Sequence, residues 1–476
     1  MDKNVVIDNG QYSLKFANIS QDSPMVVPNC VIRTLDKRVH LGSAIATENS
    51  MKDLSLSSGG LSNIQFQRPI NNGQCFQWNL ETQIWDNAFV NSGVDSGNGD
   101  FLTDAQLCYI ESPMSLPKFQ NMTDQILFEE FGIGSLVRTS GPALAPWLTP
   151  KSEEGAEEEE PLGKPTSKSS DAAPYRNFQL VIDSGFDATW VVPVIYGIPH
   201  YDAIRKLPIA GKFLNGYLRE IVSFRHYNIV DEPILVNAIK HKTSYIAQDF
   251  NETLDKLTRL KKTPTQLIRS PYALTYVLPN HKTDFVGHVI DNISNLSKPE
   301  LLKLERSLQK RTVEDLEEDL SDSESNDLVQ SVLLTDERFM IPELLFRPQL
   351  SGVLKAGLIQ TIKSSLDAVP ELIRPLLVHN IVCMGGTANI PGFETRVAKD
   401  LDPEVPVEAT TKVLDYTNVT DDKSLLAWHA GKAFFEKGGF DKVKMTKEEY
   451  TEFGAEYAQE KFGHKVKKKR IRVQNV

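Results

Sequence analysis

Two hexapeptides far apart in the chain, Val5-Val6-Ile7-Asp8-Asn9-Gly10 and Leu180-Val181-Ile182-Asp183-Ser184-Gly185, share one pattern: an apolar run that breaks into Asp-x-Gly. A short apolar run closed by such a triplet predicts a buried strand ending in a tight turn. Glycine there lets an anion approach the backbone, whose N–H groups form a concavity suited to phosphate. The aspartate can hold the hydrated magnesium that accompanies nucleotide phosphates. Either string alone also fits an ordinary strand and turn. Repetition constrains the chain further: it predicts two related halves whose turns face each other, with Asp8 and Asp183 on opposite walls of one cleft.

A third segment, Asn380 to Phe393, carries an apolar strand into Gly385-Gly386-Thr387 and then a Pro391-Gly392 turn. Paired glycines at a strand end allow close approach of a flat ligand such as a base and ribose, although a plain strand-to-helix loop has the same composition. The order of turn, second turn and glycine pair resembles the superfamily of actins, sugar kinases and heat-shock chaperones. Collinear strings narrow the resemblance to the actin family: Arg68-Pro69-Ile70, Trp78 and Ile84-Trp85; Gln125 to Phe131; Asp336-Glu337-Arg338-Phe339 with Pro342 to Phe346; and Lys447-Glu448-Glu449-Tyr450 with Gly454. Phe178 to Phe186 with Thr189-Trp190, and Ser223-Phe224-Arg225-His226-Tyr227-Asn228, resemble a nuclear branch of actin-related proteins that are subunits of Swr-type chromatin remodellers.

The resemblance implies an α/β chain with the actin-like ATPase fold: two related RNase-H-like domains around a nucleotide cleft, with two inserts. It implies a small domain over 1–147 with an outer subdomain at 31–68, and a large domain over 178–419. The chain then returns to the small domain from 420. By the same carry-over, Asp8, Asn9, Gly10 and Lys15 form the first phosphate turn, and Asp183, Ser184, Gly185 and Thr189 the second. Lys240, Gly385, Gly386 and Thr387 stand on the nucleoside side. The ligand implied is ATP or ADP with Mg, in a structural role.

Several positions depart from the family pattern. Gln11 and Tyr12 replace small residues in the first turn, and the Tyr12 ring either crowds the phosphate cradle or points away. Phe186 replaces an aspartate, His241 an acid and Ile390 a tyrosine. Trp190 stands where actins have a histidine, and Gly141 falls where they have the catalytic glutamine. Phosphoanhydride hydrolysis depends on a positioned and activated water, and loss of proton-transfer help costs roughly 10²–10⁴-fold in rate. No catalytic residue is therefore expected. The expected role is a scaffold subunit that joins other subunits of a remodelling complex. It would meet nucleosome or histones indirectly, in the nucleus and also the cytoplasm. The competing readings are a working ATPase switch and a filament-forming cytoskeletal protein. Ser351, at an expected apolar position of the Arg347–Gly352 plug, counts against the filament.

Bulk properties fit this picture. The 476 residues suffice for two substantial cores. No apolar run is long enough to span a membrane, and the N-terminus enters a strand without a signal core. The cysteines, Cys30, Cys75, Cys108 and Cys383, are scattered, so neither a zinc site nor a disulfide framework is expected and a reducing compartment fits. Net charge of −11 discourages general DNA binding. The first insert, 149–177, is rich in Glu, Ser, Lys and Pro and predicts disorder. In the second, 286–332, Leu304, Leu308, Leu316 and Leu320 predict an amphipathic helix, followed by an acidic tail. Its apolar stripe would pack on its own domain or dock a partner. The Ser- and Gly-rich stretch Ser55 to Ser62 predicts a mobile loop. The basic run Lys465 to Arg472 would be a solvated terminus, an import signal or a DNA contact.

Overall fold

The computed structural model describes residues 3–34, 36–58, 64–91, 101–151, 176–280, 284–290, 331–406 and 409–463. The predicted helix between 299 and 320, the acidic tail after it, most of the first insert and the basic run from 465 lie outside these residues.

Val5, Val6 and Ile7 are at most 1% exposed, and so are Leu180, Val181 and Ile182. Strands apolar on both faces must be covered on both faces, and each run lies inside a mixed sheet. The first sheet has six strands, in spatial order Met445–Thr446, Ser135–Ser140, Gln106–Glu111, Asn4–Asn9, Ser13–Asn18 and Met25–Pro28. The second places Ile198–Pro199, Thr189–Ile195, Phe178–Ser184 and Ile381–Met384 side by side, with Arg205–Leu207 also paired to Thr189–Ile195. In both, the repeated strand runs antiparallel to its own hairpin partner on one side and parallel to a later strand on the other. The related hexapeptides thus occupy equivalent places in two related sheets, and the architecture is the actin-like α/β fold.

One apolar layer joins the halves. Val6, Cys108 and Ile110 of the first sheet share a cluster with Val181, Val192 and Met384 of the second, around Trp428. The Trp428 indole donates to the Val6 carbonyl at 3.2 Å. All four cysteines are buried and free. Among the described residues no helix is long and apolar enough to cross a membrane.

Two smaller three-stranded sheets flank the cleft, one centred on Val31–Arg33 and one on Leu274–Val277. The stretch read as a loop from Ser55 is corrected in its first part: a helix runs Glu48–Ser58. Leu54 is 3% exposed and packs with Cys30, Ile32 and Ile64. Serine and glycine content suggested mobility, but one buried leucine anchors the helix to the outer sheet.

Candidate functional site

The first turn is built on a hairpin that registers Asp8 opposite Lys15. Adjacent antiparallel partners project to the same face, and Lys15 Nζ lies 2.7 Å from Asp8 Oδ2 with both side chains largely buried. A side chain at Gly10 would bring a Cβ to 2.8 Å from the Ser13 carbonyl, so the turn closes only with glycine. Behind it is a buried polar network. Asn9 Nδ2 donates to the Tyr109 hydroxyl, and Asn29 Nδ2 faces Asn9 Oδ1, the Gly10 carbonyl and Glu81 Oε1 at 3.1–3.2 Å. Burial pushes Glu81 up to about 7.

In the second hairpin Ser184 registers with Thr189. Their hydroxyls meet at 2.8 Å, and Thr189 Oγ1 donates to the Ile209 carbonyl. Asp183 keeps a little surface at the cleft floor but is enclosed by protein. Burial, then the charge of Asp8, pushes its carboxyl up to about 7 against the pull of Lys15. This coupling joins the two aspartates electrostatically across the cleft.

The glycine pair closes onto the second turn. Gly385 has φ +91° and sits where a Cβ would lie 2.4 Å from the Ser184 carbonyl and 2.9 Å from Asp183 Oδ1. Thr387 Oγ1 donates to the Gly185 carbonyl at 2.6 Å. Gly386 has only Ser424 Cβ nearby, at 3.7 Å. Lys240, on the helix Pro233–Thr243, reaches the Gly211 carbonyl at 3.4 Å. A Cβ on Gly211 would fall within 3.3 Å of Lys240 Nζ, Thr387 Oγ1 and Phe186 Cδ2, so four elements converge there. Burial lowers Lys240 to about 7 and His241 to about 4, the nearby Lys240 charge adding to the latter.

These residues fit a nucleotide with magnesium at the level of donor chemistry. A buried acid pair with a lysine marks one end of the cleft. A buried amine beside a glycine-lined cradle marks the other. Printed distances link the two turns, the glycine pair and Lys240: Lys15 pairs with Asp8, Gly385 packs on Ser184 and Asp183, Thr387 bonds the Gly185 carbonyl, and Thr387 and Lys240 both approach Gly211. Ser184 and Thr189 spend their hydroxyls on each other and on the backbone, so they support the turn from behind.

The two water-handling positions hold different chemistry. Gly141 opens the short helix Gly141–Leu144, and a Cβ there would lie 3.1 Å from Ala427 Cβ. Lys206 Nζ sits 5.1 Å from the Trp190 ring centroid and donates to the Asn72 carbonyl at 3.3 Å. An indole donates but cannot accept a proton. The Tyr12 ring meets Phe186, next to the second phosphate turn, at 5.0 Å between centroids, so it reaches from the first turn towards the second.

Sequence reasoning missed Asn29, Glu81, Arg68, Asn237 and Lys206 around this cleft. Each is brought in by a segment remote from the turn it touches. Arg68 lies in one of the actin-like strings, and nothing in that string indicates its contact.

Comparison with known families matches residues 2–463 to the actin family. Actin-like protein ARP6 of Candida glabrata is 34% identical, over 97% of this chain and 98% of its own length. The protein of the same name from Saccharomyces cerevisiae is 33% identical over the same shares. Actin-related protein 6 of Neurospora crassa is 30% identical over 96% of this chain and 94% of its own. With paired strand-turn hairpins, a joined core and likeness along nearly its whole length, the chain belongs to the actin family.

Proposed function

We propose that this chain is a non-hydrolysing scaffold subunit of a nuclear chromatin remodeller of the Swr type, which exchanges a variant histone into nucleosomes. ATP or ADP with magnesium is then a structural ligand that joins the two halves and stabilises them by mass action. Asp8, Asn9, Gly10, Lys15, Asp183, Ser184, Gly185 and Thr189 would hold or support its phosphate end. Lys240, Gly385, Gly386 and Thr387 would hold the nucleoside end. The actin-fold body meets nucleosomes through other subunits.

The observation that carries the non-hydrolysing reading is the pair Gly141 and Trp190. The first has a neighbour only 3.1 Å from where a side chain would begin, and the second lies under Lys206. Neither can take a proton from an attacking water. Similarity to actin-related protein 6 of several fungi over most of the chain supports the nuclear chromatin role.

Purified protein is expected to release no phosphate from ATP above background. Robust hydrolysis abolished by Asp183→Ala would overturn this reading. Affinity purification with mass spectrometry tests the assembly: remodeller subunits are expected, and a pool of filament proteins alone would refute it.

The C-terminal basic run supplies a separate test. A cationic arm on an acidic body contacts phosphates best when tethering raises its effective concentration. Deleting 465–476 is expected to weaken nucleosome engagement or nuclear import. Stability should stay within about 0.5 kcal/mol, as for surface changes generally. If both properties survive deletion, the run is only a solvated terminus. A melting scan that shows unfolding would mean the tail packs on the core.

A further inference from the structure

The two residues that depart most from the family pattern in the phosphate turns, Tyr12 and Phe186, meet each other across the cleft. Tyr12 belongs to the first hairpin and Phe186 follows the glycine of the second, and their rings stand 5.0 Å apart at 50°. The Arg68 guanidinium lies 5.0 Å from the Tyr12 centroid and 5.1 Å from that of Phe186. It is held there by the carbonyls of Gln11, Tyr12 and Asn29, at 3.0–3.1 Å. The Tyr12 hydroxyl accepts from Asn237 Nδ2 at 2.7 Å, on a helix of the opposite half. Phe186 is fixed from its own side: its carbonyl accepts from Lys212 N at 2.7 Å.

Two further contacts cross the same gap. Ile234 and Phe285, from the half that carries the second sheet, pack against the apolar cluster of Cys30, Ile32, Leu54 and Ile64. Lys206 donates to the Asn72 carbonyl. Contacts of the chain itself thus join the two halves at three places.

The geometry points to a built-in latch: Tyr12, Arg68 and Phe186, with Asn237, hold the two halves closed whether or not nucleotide is bound. Aromatic pairs and cation–π contacts each contribute modestly, but together they amount to roughly a tenfold to hundredfold bias toward closure. A protein so closed presents the same outer faces to its partners in both ligand states. This inference stands apart from the nucleotide reading, because closure by the latch requires no ligand.

Hydrogen exchange on the full-length protein, stripped of nucleotide with EDTA and apyrase, tests it. Peptides covering residues 64–70 and 229–237, outside the proposed phosphate turns, report opening between the halves. Exchange in the stripped wild type is expected to stay about tenfold or more below that of an unstructured chain, with bound MgADP adding only the protection that mass action supplies. Phe186→Ala and Tyr12→Ala should each raise exchange in these peptides about tenfold or more in the stripped protein. Tyr12→Phe keeps the ring, loses only the Asn237 bond, and should give a smaller rise; it serves if an alanine variant fails to fold. The latch is refuted if the stripped wild type already exchanges in these peptides at about the rate of an unstructured chain. It is equally refuted if the well-folded variants exchange like wild type. If MgADP does not bind at all, the nucleotide reading fails. The comparison of stripped wild type with stripped variants still decides the latch.

Discussion

Gly385→Ala is expected to destabilise the protein by about 3–4 kcal/mol, through left-handed strain combined with a backbone clash. At φ +91° the new Cβ would lie 2.4 Å from the Ser184 carbonyl, which is backbone and cannot rotate aside. Relief requires moving the strand Ile381–Met384 away from its parallel partner Phe178–Ser184, with loss of ladder bonds in the second sheet. Gly386→Ala is the control one residue away. Its nearest obstacle is Ser424 Cβ at 3.7 Å, an ordinary contact, and it opens a short helical turn. That variant should stay within about 1 kcal/mol of wild type. Urea denaturation followed by circular dichroism measures both. Equal effects at the two positions would show that the glycine pair is not held against the second turn as described.

Asp183→Asn is expected to stabilise the protein by about 2–4 kcal/mol at pH 8, without nucleotide and in EDTA, and by almost nothing near pH 4. The folded carboxyl is raised to about 7 by burial and by Asp8, whereas its unperturbed value is 3.8. Between those values the native state holds a proton that the unfolded chain has released. Stability therefore falls as pH rises through the window and levels off above about 7. Asparagine carries no charge at any pH, so the variant loses this slope. Lys240, lowered to about 7 by burial, acts in the opposite direction above that pH and cancels in the difference between the two proteins. Melting curves of both proteins from pH 4 to pH 8 decide the matter (roughly one pKa unit is 1.4 kcal/mol). Parallel curves would mean that Asp183 is solvated or already paired with a cation-like partner.

Much of the fold could be read locally. Runs such as Val5 to Ile7 and Leu180 to Ile182 need cover on both faces, and glycine marks where each strand must turn. Those features depend on neighbours within a few residues, which is the range over which hydrophobic period and turn chemistry act. Ser55 failed for the complementary reason: composition suggested a loop, but Leu54 had a distant cluster to bury itself in. The site divides in the same way. Asp8, Gly10, Asp183, Gly185 and Gly385 announced themselves by pattern. Nothing near Arg68 or Asn237 indicates that they meet Tyr12, 56 and 225 residues away in the chain.

The two related strand-turn units, the glycine pair and the residue types absent from the water-handling positions are each a property of a short segment, and so could be read from it. What those segments confront was set by packing alone. Burial raised Asp183 and lowered Lys240, and closure turned Tyr12 onto Phe186 beneath Arg68. Desolvation and cross-cleft contact are set by the packing of segments far apart in the chain, and no local pattern encodes that distance.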